Sequence, residues 1–305
     1  MKNTLKTRKV YSCTCDSDGN ILEKNITNRT EFDSDGNVSK EEFYQDGETS
    51  MLIEATYQDG KIIKSQQVDY INEIEQIWEN KYDELGRRIE KIEHYHTGGF
   101  IATKYEYNLE GKMTSEYTVD DEGEVSSKII YEYDTVGNLI KKIEYDTGDF
   151  TTPWVSTTYK YDINKNLIEK EEKFAEKEAV TSTFEYDEAG ELIGGEVFYT
   201  DDEDLILEQN TIEDEEGNFI GTAIIYHKEG IKKEQFIKRN EQDKIVEEET
   251  HINGNLDTLT KIEYNDVGDM TAEKYLSSIG NGEYMQWTAQ AFELEYWDAG
   301  DEEEE

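Results

Sequence analysis

The chain has 305 residues and carries 73 Asp and Glu against 31 Lys and Arg, a formal net charge of −42, which excludes direct binding to nucleic-acid phosphates. Only 35% of the residues are hydrophobic, too few for two compact cores at this length, so an elongated array with a thin core is expected. No run approaches the roughly 18 apolar residues of a membrane helix, and the 21 Tyr and 4 Trp are the aromatic material available for packing.

Residues 1–30 read as an N-terminal cap. Lys2, Lys6, Arg8 and Lys9 resemble a signal n-region, but only polar sequence follows them. A cytoplasmic protein, with no membrane partner, is therefore expected. The only cysteines, Cys13 and Cys15, would share one face of a strand about 7 Å apart, too far for an unstrained disulfide, and no second pair exists to complete a zinc site. Asp16-Ser17-Asp18-Gly19-Asn20 and Asp33-Ser34-Asp35-Gly36-Asn37 begin like calcium loops. Their Gly comes two places too early and their twelfth positions are Thr27 and Tyr44, whereas a turn accounts for both the Asp and the Gly.

From residue 31 to 275 one pattern returns: an aromatic, Asp or Asn, two variable residues, Gly, a polar residue and usually an aliphatic. The clearest copies start at Tyr82-Asp83 with Gly86, Tyr107-Asn108 with Gly111, Tyr133-Asp134 with Gly137 and Leu139, Tyr186-Asp187 with Gly190, and Tyr264-Asn265 with Gly268. Weaker copies lie at Phe32-Asp33, at Tyr57 with Gly60, at Tyr161-Asp162 with Lys165, at Ile212 with Gly217, and at Asn240 with Asp243. The marker positions 36, 60, 86, 111, 137, 165, 190, 217, 243 and 268 recur about every 26 residues, the signature of a repeat array.

Asp or Asn followed three residues later by Gly suits a type I turn, since the short side chain bonds the turn backbone and Gly tolerates positive φ. On the strand entering each turn, Tyr105/Tyr107, Tyr131/Tyr133, Tyr159/Tyr161, Phe184/Tyr186 and Ile262/Tyr264 share one face and Glu106, Glu132, Lys160, Glu185 and Glu263 take the other. That alternation is half-buried strand, and it predicts an aromatic ladder running along the molecule. Looser turns are expected near Gly98, Gly123, Gly148 and Asp201–Asp204, and the single Pro153 agrees with a chain made mostly of strand. Val68, Ile71, Ile74 and Trp78 also follow a helical spacing, the alternative there. Residues 276–300, with Tyr284, Trp287, Phe292, Leu294, Tyr296 and Trp297, read as a C-terminal cap, and 301–305 as an acidic tail.

The motif Tyr133-Asp134-Thr135-Val136-Gly137-Asn138-Leu139 resembles the YD repeat of the Rhs family, over roughly residues 30–275. The resemblance implies stacked β-hairpins in a long sheet free to coil; large members close into a hollow shell, with many more repeats than here. The self-cleaving Asp-Pro-x-Gly type segment of the toxins is missing, since Thr152 precedes the only Pro. The fold class expected is all-β, an elongated antiparallel hairpin-repeat array.

No catalytic signature stands out, so the chain is read as a non-enzyme without cofactor or metal. His94 and His96 supply two imidazoles on one strand face with no third nearby. Paired carboxylates are too common here to single out an acid and a base, and no phosphate loop, nucleophile elbow or nucleotide fingerprint is present. The acidity points to a protein partner with a basic surface. In YD-repeat systems the resemblance implies an immunity-like or carrier protein for a secreted effector. The alternative is a structural or surface component that binds glycans through exposed aromatics.

Overall fold

The computed structural model describes residues 4–146, 148, 150–201, 204–277 and 287–297. The acidic tail, Tyr284 and part of the turn at 201–204 fall outside these. In chain order the strands are β1 Leu5–Cys15, β2 Ile21–Phe32, β3 Val38–Gln45, β4 Glu48–Gln58, β5 Lys61–Asp69, β6 Ile74–Tyr82, β7 Arg88–His94 and β8 Phe100–Tyr107. Next come β9 Met113–Asp120, β10 Val125–Tyr133, β11 Leu139–Tyr145, β12 Val155–Tyr161, β13 Leu167–Phe174, β14 Val180–Thr183, β15 Glu185–Tyr186 and β16 Leu192–Tyr199. The last are β17 Leu205–Glu213, β18 Phe219–Tyr226, β19 Ile231–Arg239, β20 Ile245–Ile252, β21 Asn255–Tyr264, β22 Met270–Ser277 and β23 Thr288–Tyr296.

Each strand is antiparallel to its chain neighbour, as alternating residues and short turns dictate. β14 and β15 pair with β16 in one register, Ser182 opposite Val197 and Glu185 opposite Gly194, so they form one strand interrupted at Phe184. The sheet thus has 22 staves. The helical alternative between Val68 and Trp78 is not taken: β5 ends at Asp69, whose Oδ1 accepts from the backbone N–H groups of Ile71 and Asn72 at 2.9 Å, and β6 starts at Ile74.

The expected elongated array is corrected by one pairing. β1 joins β2 on one side and β23 on the other, from Leu5 opposite Tyr296 to Thr14 opposite Thr288. The sheet therefore closes into a barrel. An open array would leave two rows of backbone donors and acceptors exposed at its ends, and closure pairs them with each other. The segments read as caps supply β1, most of β2, and β23.

The cytoplasmic location falls with the open array. Closed antiparallel barrels of even strand number in this size range are an outer-membrane architecture, so the fold points there. The lack of a long apolar helix has no bearing on a barrel, which crosses with strands.

The barrel is thin-walled. Its accessible surface is 19787 Å², against about 13,000 Å² for a compact globule of this mass. Fully buried side chains are few and small; the best packed group, Cys13, Cys15, Ala289 and Ala291 with Tyr11, Ile21 and Trp287 against it, lies where the ends meet.

Candidate functional site at the motif rim

Antiparallel staves send successive turns to opposite rims. All ten motif turns fall on one rim, together with Leu5 and Tyr296 at the closing seam. In nine of the ten the same backbone geometry recurs: at 83–87 the Asp83 N–H donates to Arg87 O and the Gly86 N–H to Asp83 O, both at 2.9 Å; the tenth, after Tyr57, is a two-residue loop of Asp59 and Gly60 with Gln58 opposite Lys61. The Asp83 Oδ1 accepts from the N–H groups of Leu85 and Arg87 at 3.0 and 2.8 Å. A register shift falls at the residue before every motif Asp or Asn, from Glu31/Phe32 to Glu263/Tyr264, which is the bulge that a positive-φ fourth residue produces. Lys165 and Asp243 hold that conformation without being glycine, at φ 72° and 61°.

The motif tyrosines do not stack into the expected aromatic ladder; among the described residues none pairs with another motif ring. Each instead reaches the preceding turn. The hydroxyl of Tyr57 donates to Val38 O, Tyr82 to Ile62 O, Tyr107 to Arg88 O and Tyr133 to Met113 O, at 2.7 to 2.9 Å. Tyr161 donates to Leu139 O, Tyr186 to Leu167 O and Tyr264 to Ile245 O, each at 2.9 Å. Each of these seven repeats is thereby latched to the one before it. Burial raises the pKa of Tyr57, Tyr133 and Tyr161.

A second latch comes from the residue after the turn glycine. Where it is cationic it extends to the next tyrosine ring: Lys61 over Tyr82 at 5.6 Å, Arg87 over Tyr107 at 4.8 Å, Lys112 over Tyr133 at 5.3 Å and Lys244 over Tyr264 at 4.8 Å. Lys112 Nζ also donates to Gly137 O at 2.6 Å, filling the space that a Cβ on Gly137 would need. Where the residue is Asn, it folds back on its own turn, as Asn138 Nδ2 does on Asp134 Oδ2 at 3.0 Å. The motif positions were legible from the repeat, but the cationic latches were not. Their signal is a Lys or Arg after the turn glycine with a Tyr about one repeat later.

The latch fails twice in succession. Glu213 and Arg239 occupy the tyrosine position before the turns 214–218 and 240–244. The turns they would have covered, 187–191 and 214–218, are correspondingly exposed: Asp187, Glu191, Asp214 and Asn218 face solvent, whereas Asp83, Arg87, Asp134 and Asn138 are half-buried. In these two open turns every ionisable side chain is acidic, namely Asp187, Glu188, Glu191, Asp214, Glu215 and Glu216. Asn218 donates to Asp214 from its amide and its backbone N–H, which holds the Asp214 pKa below its ordinary value. Glu188, Glu191, Glu215 and Glu216 have no ion-pair partner among the described residues.

Charge also lies on both faces of the wall. Across β10–β13 one face carries Lys128, Glu132, Lys141, Lys160 and Glu169, and the other Tyr131, Lys142, Glu144, Lys170 and Glu172. Many are paired, as in Lys160–Glu169 at 2.6 Å and Lys142–Glu144 at 2.9 Å. A lipid-facing band requires one apolar face about 25 Å tall, and neither face of this sector is apolar.

The other sequence candidates serve local structure. Asp16 Oδ1 accepts from the N–H groups of Asp18 and Asn20, and Asp33 accepts twice from Asn37, so both calcium-like stretches are turns. Cys13 and Cys15 are buried in the seam and form no disulfide with each other, and burial raises both pKa values. His94 Nε2 lies 3.8 Å from Glu79, and His96 is exposed. Among the described residues no three His, Cys, Asp or Glu side chains are grouped to hold a metal ion.

No family model matches the chain, and no curated protein matches it. Among solved structures it is similar to a porin-like protein from Bacteroides uniformis ATCC 8492, at 13% identity over 96% of this chain and 99% of that one, with a TM-score of 0.30. A likeness at that level carries no argument about activity.

Proposed function

We propose that the barrel is a non-enzymatic binding protein whose motif rim captures a protein partner through a basic surface. The observation that supports it is the open arc at 187–191 and 214–218, where exposed carboxylates lack cationic partners and belong to no latch. Such a surface attracts a basic partner and sets its orientation, and the chain's net charge adds long-range steering. Within systems of the kind that the YD motif resembles, the partner would be a secreted effector and this chain its immunity-like or carrier protein.

A lysine-rich dodecapeptide is a suitable probe. Binding is expected at low salt and should weaken steeply as ionic strength rises toward 0.2 M, where the Debye length falls below about 8 Å. Changing Glu188, Glu191, Glu215 and Glu216 together to Gln should weaken it about tenfold or more, and changing Glu122 and Glu124 on the opposite rim should not. Equal loss from both variants, or an affinity indifferent to salt, removes the reading.

Closure supports a second reading, a water-filled pore. Charged side chains on both faces of β10–β13 weigh against it, because a Lys facing lipid at the bilayer midplane costs about 2–4 kcal/mol. Conductance steps in a planar bilayer would favour the pore over the binding protein.

A further inference from the structure

The wall is least regular beside the seam. β22 and β23 pair only from Ala272 opposite Ala291 to Tyr275 opposite Thr288, while β23 runs on to Tyr296 alongside β1. Toward the motif rim the two strands diverge. The wedge between them is a cavity of about 570 Å³, within the size range of small-molecule sites. Its body is formed by Leu5, Met270, Phe292 and Leu294; among its lining residues Arg8 is the cationic side chain and Asp269 the anionic one, the latter beside Gly268 and Tyr296 at the mouth.

The register sets Arg8 opposite Leu294 and Val10 opposite Phe292, so the guanidinium shares a face with the two apolar side chains. Arg8 Nε is buried and has no hydrogen-bond partner. One terminal nitrogen donates to Thr30 Oγ1 at a long 3.4 Å. On the rim side the Tyr296 hydroxyl donates to Asp269 and accepts from Asn265 Nδ2, bridging the mouth of the wedge.

An apolar cleft with one under-used guanidinium at its wall selects its ligand. A neutral hydrocarbon would leave the guanidinium without an anionic partner, and a cation would face Arg8 while Asp269 is already engaged by the Tyr296 hydroxyl. A carboxylate attached to an apolar body satisfies both parts, because it accepts charge-assisted hydrogen bonds from the terminal nitrogens of Arg8 while the cleft removes the body from water. We propose that this wedge binds a small amphipathic carboxylate of the medium-chain alkanoate class. The site is separate from the acidic arc and does not depend on the partner proposed for it.

The test uses the full chain and sodium decanoate, below its micelle-forming concentration, in a calorimetric titration. Saturable binding at one per chain is expected, with decyltrimethylammonium showing none. Arg8→Gln should weaken decanoate binding about tenfold, and Leu294→Asp should abolish it, with the strand signal in circular dichroism unchanged. Should Arg8→Gln fail to fold, Arg8→Lys keeps the charge, removes the paired terminal nitrogens, and is expected to weaken binding by at least threefold. No saturable binding, equal binding of the cationic amphiphile, or unchanged affinity in the folded Arg8 variant would overturn the proposal.

Discussion

The rim sector carrying turns 83–87 to 162–166 and the sector carrying turns 187–191 and 214–218 are built from the same turn, and they differ in one position. In the first, a tyrosine from the following repeat closes over each turn, and at Arg87 and Lys112 a cation reaches forward to the next ring. In the second, Glu213 and Arg239 stand where that tyrosine belongs, and the turn tips are left in water. A repeat barrel of this kind is held at its rim by contacts between consecutive units, so one substituted position uncovers the turn of the unit before it. The uncovered tips are also where acidic side chains accumulate without partners, which is why binding is assigned there.

The largest test of this contrast is truncation. Tyr133→Ala should cost about 2 kcal/mol in urea unfolding, from a half-buried ring and a hydroxyl bond, whereas Glu213→Ala should stay within about 0.5 kcal/mol of the parent. Equal costs would mean that the latch does not distinguish the sectors. Removing only the hydroxyl sharpens the point: Tyr133→Phe should lose about 1 kcal/mol, since Met113 O then lacks its donor.

Of similar size but opposite sign, Lys165→Gly and Asp243→Gly should each stabilise by about 1 kcal/mol, because both residues hold positive φ. No gain in thermal unfolding would show that local contacts already offset the strain. Installing the missing latch, Glu213→Tyr, should add roughly 0.5–1 kcal/mol and slow amide exchange in residues 187–191. Unchanged exchange there would separate exposure from the latch.

The gentlest probe is pH. Hydrogen bonds lower the pKa of Asp83, led by the Arg87 backbone N–H, and of Asp214, led by the Asn218 side chain. Each contributes stability that is present above the ordinary Asp value near 3.9 and is lost as pH falls below it, so acid should loosen both sectors alike. Burial raises the pKa of Tyr57, Tyr133 and Tyr161. Their contribution is complete below about pH 10 and is lost as pH rises past that, so alkali should act on the latched sector first. Exchange rates rising equally in both sectors at alkaline pH would contradict this.

The turns, the bulge beside each and the alternation of the strands were legible because each depends on residues within a few positions of one another. Asp134, Gly137 and Tyr133 carry that information wherever the chain places them. The open arc was partly legible, since Glu213 and Arg239 break the motif in plain view, but their consequence lies in the preceding turn, which only stacking brings beneath them. The binding wedge was not legible at all: Arg8, Met270 and Leu294 meet only because the first and last strands pair.

The amino-acid sequence by itself determined an all-β chain of antiparallel hairpins with a period of about 26 residues and a strongly acidic surface. Tertiary structure alone decided that the sheet closes. The twist of each hairpin is small and local, but summed over 22 staves it carries β23 back to β1, and backbone edges left open at both ends then find their partners in each other.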